Sequence, residues 1–206
     1  MQMSITLVIV VVTALVSWRA FNDPRLLERL ILWPPAVERR KQYDRLLTHG
    51  FIHADWMHLL FNMVTLWSFG TAVEGVFSQW ITPAGYVLFY LSAIVVAILP
   101  TWLRHRHDAN YRSLGASGAV SAVLFAFILF DPWSKLVIFP IPVPIPAIVF
   151  AVLYVVYSIW MDRRGAGNVN HSAHLWGAAY GVLFTVIMEP RVLAHFFATI
   201  TGGGQG

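Results

Sequence analysis

Charged residues fall in short clusters along this chain. Between them lie uncharged stretches at residues 1–18, 75–103, 113–130, 136–161 and 165–188, and a sixth, 46–73, is interrupted only by Asp55 and some histidines. A helix rises about 1.5 Å per residue, so about 20 apolar residues cross a hydrocarbon core of roughly 30 Å. The pattern predicts an all-α polytopic membrane protein, one six-helix domain over 1–188 with spans at about 4–18, 56–74, 83–103, 115–130, 146–161 and 172–188. Prolines at 140, 142, 144 and 146 delay the fifth span, because proline cannot sit in a helix interior without breaking it. Glu189-Pro190 ends the sixth span, and the tail 189–206, closing on TGGGQG, is expected to be short and partly disordered.

The first stretch, MQMSITLVIVVVTALVSW, has no positively charged front and a long apolar part, which predicts a span rather than a cleaved leader. The long segment after it sets Leu26, Leu27, Leu30 and Ile31 at helical spacing among charges, ahead of a Pro-Pro break at 34–35. That is the pattern of an amphipathic helix lying in the membrane interface, and it predicts a partly helical first loop.

Composition sharpens the class. Hydrophobic residues make up 58% of the 206 and charged residues only 12%, which excludes an ordinary soluble domain. The net charge of +4 does not point to nucleic acid, since the basic residues sit in loops, where anionic lipid headgroups attract them. With no cysteine, disulfide and thiolate chemistry are excluded.

Alternate spans run the same way through the bilayer, so the starts of spans two, four and six share one side. His53, His58 and Asn62 lie at the first of these starts, Ser117 at the second, and His171 and His174 at the third. Strongly polar groups inside spans are costly and usually face a protein interior or a wet cavity. Small residues repeat at four-residue spacing at 118, 122 and 126 and again at 173, 177 and 181. Such stripes let backbones approach closely, which would bring Ser117 within reach of His174. An imidazole can take the proton that makes a serine nucleophilic. The acidic residues lie in loops or at span ends, so a Ser-His dyad is expected rather than a triad. At a helix start the unpaired N–H groups and positive dipole end can hold an oxyanion, Gly115 and Gly118 relieve crowding, and His58 with Asn62 can add donors.

These residues resemble those of the rhomboid family of intramembrane serine proteases. The resemblance rests on HADWMHLLFN (53–62), GASG (115–118) and AHLWGAAYG (173–181), with YDRLL around Arg45 and GTAVEG around Glu74. It implies Ser117 as nucleophile, His174 as general base and then acid, and His58, Asn62 and the Ser117 amide as oxyanion site. It further implies a structural or pocket role for His53, a support of the first loop in Arg45, and a stabilising partner in Glu74. The substrates implied are membrane proteins cleaved in or near their transmembrane helices in the lipid bilayer, with no cofactor and no metal. The expected location is a bacterial-type inner membrane. Two positions depart from the family pattern: Ser121 stands where many relatives carry an aromatic against the catalytic histidine, and Asp44 where tryptophan often precedes the loop arginine.

The loops carry conflicting topological information. Lys and Arg would place the first, third and fifth loops in the cytoplasm, whereas the family usually has its active-site side outside; a long folded loop is where the charge rule weakens, so the family arrangement is the expectation. Three rival readings are a zinc site on His53, His58, His171 and His174, a non-cleaving rhomboid-like binder of membrane proteins, and a transporter.

Overall fold

The computed structural model describes residues 4–138, 141–165, 167 and 169–202. The first helix, α1 (Ile5–Phe21), is capped by Ser4, and its start rests on the carboxylate of Glu74. That carboxylate accepts from Ser4 Oγ at 2.7 Å and from the N–H groups of Ile5 and Thr6 at 2.7 and 2.8 Å. A carboxylate is stabilising at the positive end of a helix dipole.

The first loop folds into several short pieces instead of one interfacial helix: α2 (Pro24–Leu30), α3 (Pro34–Arg40), α4 (Arg45–Thr48) and a 3-10 turn, His49–Phe51. The Pro-Pro pair begins α3 rather than merely ending what precedes it, because the first helical position needs no N–H and favours proline's fixed φ. Buried Arg45 ties the pieces together. Its Nη1 donates to the carbonyls of Glu28 and Ile31, each at 2.7 Å, and its Nε to Gln42 Oε1 at 2.7 Å.

The long helices follow. They are α5 (Trp56–Phe77), capped by Asp55, and α6 (Pro83–His105), capped by Thr82; then α7 (Ser117–Phe130), α8 (Ala147–Arg164) and α9 (His171–Met188), capped by Asn170. By length and composition α5 and α6 can each cross a membrane, and α9 does so only when paired with the helix after it. The six-span count is therefore not met on those two criteria alone. The 14 residues of α7 rise about 21 Å, short of a full hydrocarbon core.

One expectation needs correction. The proline-alternating segment is an antiparallel hairpin, β1 (Lys135–Ile138) with β2 (Ile141–Pro146), so the fold is predominantly helical rather than all-α. A two-stranded ribbon is all edge, and an edge tolerates the missing proline N–H. Within the tail, α10 (Arg191–Thr201) bends away from α9 by 113°. It is fastened by Trp133 Nε1 donating to the Thr199 carbonyl at 3.1 Å and by His195 Nε2 against the Phe130 carbonyl at 2.9 Å. Of the TGGGQG stretch, residues 203–206 lie outside the described residues.

The core is organised around α7, whose residues from Gly118 to Ala126 are all buried. A helix apolar on every side belongs in the middle of a bundle. One side packs with α1, α5 and α6 through Leu66, Phe89 and Val123; another meets α8 and α9 through Phe125, Ala151 and Ala178. The closest approach is the seam between α7 and α9. A Cβ at Gly177 would lie 2.0 Å from the Gly118 carbonyl oxygen, and one at Gly181 would lie 2.0 Å from that of Ala122. Backbone therefore rests on backbone along both small-residue stripes.

Candidate active site

The loop into α7 turns sharply at Gly115, whose φ of 115° is a conformation that side-chain-bearing residues rarely adopt. Its N–H donates to the His49 carbonyl at 2.9 Å, and the next N–H, of Ala116, donates to His53 Nε2 at 3.4 Å. Ala116 is the N-cap of α7 and supplies no side-chain cap, so Ser117 opens the helix with the positive end of the dipole directed at the site.

His53 is fully buried behind this loop rather than on the cavity wall. Because its Nε2 accepts from Ala116, its Nδ1 carries the proton and meets Ser17 Oγ at 3.0 Å; Ser17 in turn donates to the Phe51 carbonyl at 3.0 Å. Burial, with His58 nearby as the second cause, pushes the His53 imidazole down to about 3. His49, also buried, is held down to about 4 by desolvation. Both rings are thus neutral spacers between α1, the first loop and the start of α7.

His58 stands in the first turn of α5, its N–H bonded to the capping Asp55 Oδ1 at 2.8 Å. Its ring lies against Gly115 so closely that a Cβ there would sit 2.8 Å from Cε1 and 2.9 Å from Nε2. The φ calls for glycine at 115, and a Cβ there would also push the His58 ring aside. The Ala54 N–H points at His58 Nδ1 at 3.5 Å, which leaves the proton on Nε2, the nitrogen nearer Gly115. One turn on, Asn62 is buried and donates through Nδ2 to the His58 carbonyl at 2.9 Å, so one of its two N–H bonds is used within its own helix.

The facing helix is held by Asn170. Its Oδ1 accepts from Ala173 N–H and from Thr101 Oγ1, both at 3.0 Å, and its Nδ2 donates to Ser113 Oγ at 3.3 Å, joining α9 to α6 and to the approach to α7. In the first turn of α9, the His174 ring stacks on Tyr154 of α8, with centroids 6.0 Å apart and planes at 20°, and meets His171 edge-on at 5.7 Å. Ser121 leaves the position four residues beyond Ser117 without a ring, and Tyr154 brings one from another helix.

A cavity of about 1080 Å³ opens where these helix starts meet, and Ser117, His174, His58, Asn62, Gly115 and Gly118 line it together with Ala173. Ser117 and His174 share this wall without a direct hydrogen bond. Gly177 and Gly181 lie deeper, in the seam. Arg45 belongs to the first loop, and Glu74 sits at the opposite end of α5, under α1. Reading the sequence missed His49, Ser17, Asn170 and Tyr154. Of these, Tyr154 left a signal, since a phenol hydroxyl in an apolar span needs a partner and Ser121 offers one in another. For the zinc reading, no group of three or more histidine or carboxylate side chains suited to a metal ion occurs among the described residues.

An apolar helical bundle whose helix starts meet at a cavity lined by several histidines defines a membrane protein with that cavity at one end of the bundle. The chain belongs to the rhomboid family: the family model for the rhomboid domain matches residues 40–191. It is similar to RHOMBOID-like protein 12, mitochondrial, of Arabidopsis thaliana, 28% identical over 179 residues, covering 82% of this chain and 53% of that protein. It is also similar to Rhomboid protein 1, mitochondrial, of Saccharomyces cerevisiae, 33% identical over 137 residues, covering 66% of this chain and 39% of that one. Rhomboid protease GluP of Bacillus subtilis is 29% identical over 140 residues, 68% of this chain and 25% of that protein. The chain spans about half the length, or less, of these curated relatives. Family membership makes it an integral membrane protein. The bacterial-type inner membrane is not supported by these names, two of which are mitochondrial.

Proposed function

We propose that the chain is an intramembrane serine endopeptidase, with α1 and α5 to α9 as its six spans, that hydrolyses peptide bonds in or near the transmembrane helices of other membrane proteins. The observation that carries this reading is the sharing of one cavity wall by Ser117, His174, His58 and Asn62, with α7 and α9 in backbone contact just beneath.

In this mechanism Ser117 Oγ attacks the scissile carbonyl carbon while His174 takes the hydroxyl proton. The carbonyl π electrons move onto oxygen, and the oxyanion is met by the Ser117 N–H, by His58 Nε2–H and by the free N–H of Asn62. Removing one such donor elsewhere costs about 100- to 1000-fold in kcat. The tetrahedral species collapses as His174 gives its proton to the departing amine, leaving a Ser117 acyl ester. Water then attacks the ester with His174 again as base, and the acid product leaves with Ser117 restored.

The test is a fluorophosphonate probe together with cleavage of a transmembrane-helix substrate in liposomes. Wild-type protein should be labelled at Ser117 and cleave; Ser117→Ala should do neither, and His174→Ala should lose both by at least about 1000-fold. Equal cleavage by wild type and Ser117→Ala would end the reading.

A further inference from the structure

Among the described residues no charged side chain holds His174, the proposed base, in place. Among the described residues no hydrogen bond reaches the His174 ring, and its neighbours there are rings: His171 edge-on at 5.7 Å and Tyr154 stacked at 6.0 Å. His171 rides on the same helix three residues earlier, so it moves with His174. Tyr154 alone brings a flat surface from a separate helix, and that surface is itself anchored. Its hydroxyl lies 2.6 Å from Ser121 Oγ, and Ser121 donates its own proton to the carbonyl of Ser117 at 2.8 Å. Since Ser121 has spent its one proton, Tyr154 must be the donor in the shorter bond. Phe125 and Phe150, each with its centroid 5.5 Å from that of Tyr154, pack beside the phenol.

On the protease reading above, we infer that Tyr154 is a positioning residue: tethered through Ser121 to the backbone of the nucleophile, it fixes the plane of the His174 imidazole and so its aim at Ser117. Nucleophile and base are thereby linked through the carbonyl of 117, the hydroxyl of 121 and the phenol of 154, a path that needs no carboxylate. An aromatic pair of this kind favours its aligned geometry by roughly a factor of 2 to 13, which sets the scale of the loss.

Cleavage kinetics of a transmembrane-helix substrate, with fluorophosphonate labelling rates at Ser117, test this on the full chain in liposomes. Tyr154→Leu removes ring and tether and should lower kcat about 10-fold with KM unchanged, the labelling rate falling in parallel. Tyr154→Phe and Ser121→Ala each remove only the tether; each should lower kcat about 3-fold, and the double variant no further than either. Partial rescue by phenylalanine separates ring placement from mere filling of space. If Tyr154→Leu does not fold, the non-additivity of Tyr154→Phe and Ser121→Ala decides the matter. Wild-type kcat in Tyr154→Leu, a loss confined to KM, or full additivity of the tether variants overturns the inference alone. Wild-type protein that neither cleaves nor labels overturns the protease reading, and the inference with it.

Discussion

The α7–α9 seam and α8 are built on opposite principles. Along the seam, glycine at 177 and 181 lets one main chain rest on the other, and no side chain stands between them to rearrange. On α8 only Ala147, Ala151 and Ser158 are buried, while Val152, Leu153, Val156 and Trp160 face outward. It is fed by a proline hairpin and reaches the core through Phe150, Tyr154 and Val155. Close-packed backbones cannot slide without a clash, whereas a helix held by a few side chains can shift at modest cost. The spacing of Ser117 and His174 is thus entrusted to the rigid pair, and the surface that orients His174 to the loosely held helix.

The largest break in this contrast comes from the seam itself. Gly177→Val places branched carbon where a single Cβ already falls 2.0 Å from the Gly118 carbonyl oxygen, so α7 and α9 must part. Overpacking of this kind costs about 3 kcal/mol or more. Cleavage should disappear and the thermal midpoint in detergent should fall by several degrees; an active variant of unchanged midpoint would refute the seam.

An intermediate effect is expected from acid. His49 and His53 have imidazoles lowered to about 4 and about 3 by burial, against about 6.5 when unfolded. Between those values the unfolded chain binds more protons than the folded one, so stability is full above about pH 6.5 and declines as pH falls toward 4. Each histidine contributes about 1.4 kcal/mol per pH unit across that interval. Thermal midpoints should drop steeply from pH 6.5 to 5, and His49→Phe should flatten the drop; a midpoint independent of pH would contradict neutral burial.

The smallest effect belongs to the outward face of α8. Val156 is 61% exposed, and Val156→Ala should leave the midpoint within about 0.5 kcal/mol of wild type and cleavage unchanged. A large loss from so exposed a site would mean that α8 is held as firmly as the seam.

What the sequence made legible follows the same division. Partition into apolar stretches depends only on local composition, so α5, α6 and α9 were readable to within a few residues. The small residues at 118, 122, 177 and 181 announced the seam because helical spacing places them on single faces. The hairpin was not legible, since alternate prolines erase both the helical and the strand pattern. Helix α10 hid behind Glu189-Pro190 and a glycine-rich run, both of which read as stops. Of the site residues missed, Tyr154 left only the faint signal of a buried phenol: Ser121, its partner, is 33 residues away, and the two pair because α7 and α8 fold side by side.

Helix α1 is pinned at both extremities, by Glu74 at Thr6 and by His53 at Ser17. From Thr6 to Ser17 the axis advances roughly 17 Å. The helix is therefore a strut of set length, gauging the separation between the foot of α5 and the imidazole that supports the turn before Ser117. Any change in that separation would have to pass through the Ser17–His53 contact to reach the Ala116 amide.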